Sequence, residues 1–142
     1  MNTMRLLIAM VLITTVTQAY AAKSHFDGKQ PLFCTAVQMY QCDLTDGCIQ
    51  VTAEEIGTGS AWHIDFKKKQ LIPIREGAAP NSIQHIEVLD GKIFMTSVQD
   101  GSPTESDGVA WSVSINAADG MMTIMVAGEG VGFVGLGSCI PG

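Results

Sequence analysis

Every second residue from Trp111 to Ile115 is apolar: Trp111, Val113 and Ile115 alternate with Ser112, Ser114 and Asn116. After "AADG" the same period resumes as Met122, Ile124 and Val126. A period of two sends successive side chains to opposite faces of an extended chain, so each stretch reads as a strand with one dry and one wet face. Gly120, which closes the intervening turn, takes the left-handed backbone that ends such loops, and the pair becomes a hairpin. This constrains the fold more than any other feature. A sheet that is wet on one side only is antiparallel, and it must fold its dry side around a core.

The pattern recurs along the chain. Trp62, Ile64 and Phe66 oppose His63, Asp65 and Lys67, and Ile86 and Val88 oppose His85 and Glu87. Segments rich in Val, Ile, Phe and Trp, each bounded by Gly, Pro, Asn or Asp, predict strands near residues 32–41, 48–52, 61–67, 70–75, 83–89, 92–98, 109–116, 121–127 and 131–138. "TAEEIG" is the one later segment that could form a helical turn, and it is too short to matter. The expected fold is all-β: a single antiparallel meander of about eight or nine strands, forming a small closed or partly open barrel, with a β-sandwich as the alternative. The inward set, which includes Phe133, is bulky. A barrel of about eight strands is just wide enough to be filled by such side chains, so the expectation is a packed core and no ligand cavity.

The first residues, "MNTMRLLIAMVLITTVTQAYA", combine Arg5, an apolar run from Leu6 to Val16, and a small-x-small site at Ala19-Tyr20-Ala21. That is the layout of a secretory signal peptide over residues 1–21, leaving residues 22–142 as a single β-rich domain. The run is shorter than the roughly 20 residues a membrane-spanning helix needs, and no later segment is apolar enough to span. The first Cys lies at position 34, so the cleavage point offers no site for a lipid anchor. A periplasmic or secreted destination follows. Without Arg5 the basic residues number seven against 14 Asp and Glu, a net charge of −7. That balance argues against nucleic acid or an anionic membrane surface as a partner.

Cys34, Cys42, Cys48 and Cys139 form an even set, and in an oxidising compartment two disulfides are the default. Three pairings are possible. The short loop "CDLTDGC" holds the turn dipeptide Asp46-Gly47 and favours Cys42 with Cys48, leaving Cys34 with Cys139 to join the first strand to the last.

Candidate chemistry is sparse. His63 with Asp65, and His85 with Glu87, each place an imidazole and a carboxylate on the wet face of a strand, and were the two strands neighbours the four could hold Zn²⁺. Ordinary solvated side chains are the stronger reading. No nucleophile is marked: "GTGSA" and "GLGSC" lack the Gly-x-Ser-x-Gly elbow. Gly130-Val-Gly132-Phe-Val-Gly135 matches the dinucleotide-binding spacing, but it enters another strand where that site requires a helix. Its glycines read as a tight turn and a closely packed strand. Met121 and Met125 share the wet face with Thr123; thioethers can bind Cu(I), yet no Cys or His lies close by and surface packing is the better account. Two polar loops, "PIREGAAPNS" and "QDGSPTESDG", read first as solvated connections. No catalytic residue, cofactor or metal site is assigned.

Trp111-Ser112, Ile115-Asn116, Gly120, Met122-Thr123, the spacing Gly128-x-Gly130-x-Gly132-Phe133, the ending Gly137-x-Cys139 and the block "HIDFKKKQL" at residues 63–71 form a pattern. It resembles a group of small exported proteins of Gram-negative bacteria with no assigned activity. The resemblance implies a compartment and a β-rich fold and carries over no site residue. The functional expectation is a noncatalytic binding or interaction module of the cell envelope. The alternatives are a carrier for a small apolar ligand, and a metal-dependent enzyme using His63, Asp65, His85 and Glu87.

Overall fold

The computed structural model describes residues 25–100 and 108–142. The signal peptide assigned to residues 1–21, and most of the loop "QDGSPTESDG", lie outside the described residues.

Ten strands form: β1 (Leu32–Asp43), β2 (Gly47–Val51), β3 (Ala61–Asp65), β4 (Gln70–Pro73), β5 (Asn81–Ser82), β6 (His85–Leu89), β7 (Lys92–Gln99), β8 (Val109–Asn116), β9 (Met121–Ala127) and β10 (Val131–Pro141). No helix occurs among the described residues, so none is long and apolar enough to cross a membrane. All pairings are antiparallel and belong to one sheet, in the order β5-β4-β3-β1-β10-β9-β8-β7-β6, with β2 attached to β1 off that path. Apart from β2 the order follows the chain, with the first and last strands side by side. This is a meander curled into a half-barrel.

The long strand β1 organises the sheet. One edge runs against β10 from Leu32 opposite Pro141 to Asp43 opposite Val131, interrupted between Ala36 and Gln38 by a bulge that turns Val37 out to solvent. Its other edge is shared. Leu32–Thr35 pair with β3, and Met39–Asp43 pair with β2. The disulfide between Cys34 and Cys139 crosses the β1–β10 pair at directly opposed positions, and that between Cys42 and Cys48 crosses β1–β2.

Turn chemistry fixes the hairpins. Asp43 Oδ1 accepts from the backbone N–H groups of Thr45 and Asp46, both at 2.8 Å, which folds the chain toward Gly47 with its φ of 73°. Asp65 Oδ1 likewise accepts from Lys68 N–H at 3.0 Å, so this carboxylate shapes the β3–β4 turn.

The two outermost strands, β5 and β6, are consecutive in the chain, separated only by Ile83 and Gln84. The segment 81–89 pairs with β4 through its first residues and with β7 through its later ones. At the changeover Ile83 N–H donates to Lys69 O and Gln84 N–H to Thr96 O. One stretch of chain therefore belongs to both ends of the sheet and draws them together. It covers neither end fully: among the described residues no strand lies between β4 beyond Leu71 and β7 beyond Thr96.

The dry faces meet inside. Leu32, Cys34, Ile64, Ile93, Met95, Val113 and Ile115 are all less than 2 % or about 2 % exposed and fill one half of the interior. Burying side chains of this size stabilises by about 1.5–3 kcal/mol each relative to leaving them in water. Phe26 packs onto this core. It lies where a Cβ on Gly120 would come within 2.5 Å of its ring and of Cys139 O, and Gly120 also has a φ of 75°. That position admits only glycine. Val88, expected inside, is 54 % exposed and Ile86 only partly buried, because β6 is an outermost strand with a neighbour on one edge alone.

Candidate functional site

Along β8 the apolar face runs from Ile115 and Val113 in the packed half to Trp111 in the other, and along β9 from Met122 to Ile124 and Val126. The expectation that this whole face fills a core holds for the first half only. Trp111, Ile124 and Val126 line a cavity of about 430 Å³, together with Trp62, Leu71 and Phe133. The volume lies within the range of small-molecule sites, about 300–1,000 Å³.

Two local features keep the space open. Gly135 pairs with Met39 on one side and Ile124 on the other, at an inward position where it contributes no side chain. A Cβ there would stand 2.7 Å from Ile124 Cγ2 and 3.3 Å from Ala36 Cβ. The second feature is the gap between the ends of β4 and β7. It is bordered by Pro73, by Arg75, Gly77, Ala78 and Ala79 of the following loop, and by Gln99. The loop "PIREGAAPNS" thus forms part of a cavity rim and is more than a solvated connection.

The cavity is apolar within and polar at its border. Thr58, Arg75, Asn81 and Gln99 supply the polar groups, and among the described residues Arg75 is the only ionisable one on the lining. Arg75 Nη1 donates to Gly57 O at 2.5 Å, and no carboxylate is paired with its guanidinium among the described residues. Inside, Trp111 is 6 % exposed and its indole N–H has no acceptor, the one such buried side-chain atom among the described residues. Leaving a buried donor unpaired costs about 1–3 kcal/mol. A wider depression of about 680 Å³ crosses β7–β10 and includes Thr96, Val98, Ala110 and Met125 of the outer face, but it is open to solvent and encloses less.

The His and carboxylate pairs do not converge. His63 and Asp65 stand on β3 and His85 and Glu87 on β6, with β4 and β5 between them. No group of three or more His, Cys, Asp or Glu is placed to hold a metal among the described residues. Asp65 is engaged otherwise: the Lys68 N–H bond, aided by the Lys68 ammonium at 3.7 Å, holds its carboxyl below the ordinary value. Asp43 is lowered in the same way by Asp46 and Thr45 N–H. Met121 and Met125 lie on the outer face, 64 % and 52 % exposed. Gly130, with a φ of 71°, turns the chain into β10 with no helix following.

Sequence reasoning named most of the apolar lining but placed it in a core, and it missed Arg75, Asn81 and Gln99. The signal for these was present in the loop "PIREGAAPNS", whose single Arg sits among small residues. Comparison of the chain with protein-family models, with curated proteins and with solved structures finds no match.

Proposed function

We propose that this chain is an exported, noncatalytic binding protein of the cell envelope that takes one small, largely apolar molecule into the open half of its barrel. The observation that carries the reading is the contrast between the two halves of one interior: side chains of similar size close-pack in one and leave about 430 Å³ in the other. Native interiors hold few voids larger than a water molecule, and a space this large beside two indoles is the form of a ligand site. The Trp111 N–H, covered by neighbouring atoms, would gain a ligand acceptor if the ring turned. Two disulfides are compatible with an oxidising compartment, and the leader-like residues 1–21 support export to the periplasm or beyond.

Titration of the purified protein with decanol, decanoate and decylamine, read by tryptophan fluorescence, tests the proposal. At least one should bind saturably and one to one, and Val126→Trp, which fills the space, should abolish the response. Absence of saturable binding by all three overturns it. A second reading, docking of an envelope protein, is favoured by the outer face of β8–β10, where Ala110, Ser112, Ser114, Met121, Thr123, Met125, Val134 and Leu136 present no charge. Capture of one specific partner from periplasmic extract, lost on Met125→Lys, would support it.

A further inference from the structure

The geometry points to an apolar carboxylic acid, bound as its anion with the carboxylate at Arg75, as the class of molecule this cavity takes. The inference rests on the reading of the cavity as a ligand site and adds the polarity of its occupant.

Charge selects the class. Acidic residues outnumber basic ones 14 to 8 over the whole chain, so a charged group drawn at random for this border would more often be a carboxylate. Among the described residues the cavity instead carries one ionisable side chain, a guanidinium. The acids nearest in sequence do not line it. Glu76 follows Arg75 without contributing to the lining, and Glu55 Oε2 is held at 2.7 Å by Thr52 N–H. Arg75 Nη1 is spent on Gly57 O, a contact that anchors the side chain across the border of the cavity. The remaining guanidinium N–H groups have no carboxylate partner among the described residues. A planar fork of donors matches a carboxylate in two parallel bonds.

The position suits a molecule with one charged end. Arg75 is exposed and sits at the gap, while Trp62, Trp111, Ile124 and Phe133 lie inside it. A bound acid would bury its hydrocarbon or aromatic body against these residues and keep its carboxylate at the edge, where desolvation costs least. Asn81 and Gln99 supply amide donors on the same border. A cationic head would meet Arg75 as a like charge. A neutral alcohol would leave the guanidinium without a counter-ion.

Three ligands with the same alkyl chain test this at low ionic strength: decanoate, decanol and decyltrimethylammonium, titrated against tryptophan fluorescence in wild type, Arg75→Gln and Arg75→Lys. Decanoate should bind the wild type about tenfold more tightly than decanol, equivalent to about 1.4 kcal/mol, and the ammonium ligand least of all. Arg75→Gln should bring the ratio of decanoate to decanol affinity down to about one, a change in selectivity that a purely structural role for Arg75 would not produce. Arg75→Lys should restore part of it, and raising the salt concentration should weaken decanoate alone. Equal affinities for decanoate and decanol, or a preference that survives Arg75→Gln, overturn the assignment of Arg75 while leaving the cavity a ligand site. Failure of every ligand to bind overturns both.

Discussion

Removing the two disulfides one at a time should cost very different amounts. Cys34 and Cys139 are separated by 105 residues, and Cys42 and Cys48 by 6. A cross-link stabilises chiefly by restricting the unfolded chain, by an entropy that grows with the logarithm of the loop it closes; the long loop is worth about 5 kcal/mol and the short one about 2 kcal/mol. Burial adds to the difference. Cys34 and Cys139 are 0 % and 2 % exposed, so replacing both with Ala also removes two buried sulfurs, for a further 1–2 kcal/mol or about that. Cys48 is exposed, and its loss leaves little space. The Cys34→Ala, Cys139→Ala variant should therefore lose about 6 kcal/mol, which approaches the whole stability of many domains, about 5–15 kcal/mol. The Cys42→Ala, Cys48→Ala variant should lose about 2 kcal/mol. Urea titrations followed by far-ultraviolet circular dichroism measure both. The denaturant slope should rise more in the first variant, because its unfolded chain is freed from the larger constraint. Equal losses, or a larger loss from the short loop, would refute the reasoning that the clasp between first and last strands governs the stability of the barrel.

Gly137→Ala should destabilise by about 3 kcal/mol or more, since a Cβ there overlaps Thr35 O of the paired β1 backbone and relief requires opening the β1–β10 ladder; urea titration checks it. Asp65 has a folded-state pKa below its ordinary 3.8, so its stabilising effect is fully present above that value and is lost as pH falls through the lower folded one. The stability difference between wild type and Asp65→Asn should accordingly shrink toward zero in acid titrations below pH 3.8, and a difference that grows there would contradict the turn role of this carboxylate. His63→Ala and His85→Ala lie on separated strands and should combine additively within about 0.5 kcal/mol, with added Zn²⁺ raising the Tm of wild type no more than that of the double variant.

The strands were legible because period two survives without any knowledge of the neighbours. Trp111, Val113 and Ile115 reveal a dry face whatever lies opposite, and the predicted bounds of β8 and β9 coincide with the observed ones. The space behind that face depends on distances across the interior, which no local pattern encodes. Trp62, Trp111 and Phe133 read as filling, yet whether large rings meet is set by Gly135 across the wall and by the incomplete cover between β4 and β7. The residue pattern predicts one strand over 83–89, and the change of partner within the segment 81–89 has no signature in the sequence. Arg75 was hidden for a related reason: a charged residue in a polar loop looks solvated until the loop is seen to border a cavity.

That change of partner makes the seam between the two ends of the sheet a covalent one. A wall sealed by a full ladder can widen only by breaking a row of hydrogen bonds together, whereas here the two ends of the sheet are joined by covalent chain through Ile83 and Gln84. The bonds from Ile83 N–H to Lys69 O, from Gln84 N–H to Thr96 O and from Val98 N–H to Gln84 Oε1, with the two-residue strand β5, join β4 and β7 at this point. Ile83, 3 % exposed and packed in the core, pins this crossing, so the seam is held by apolar packing where a ladder would otherwise hold it.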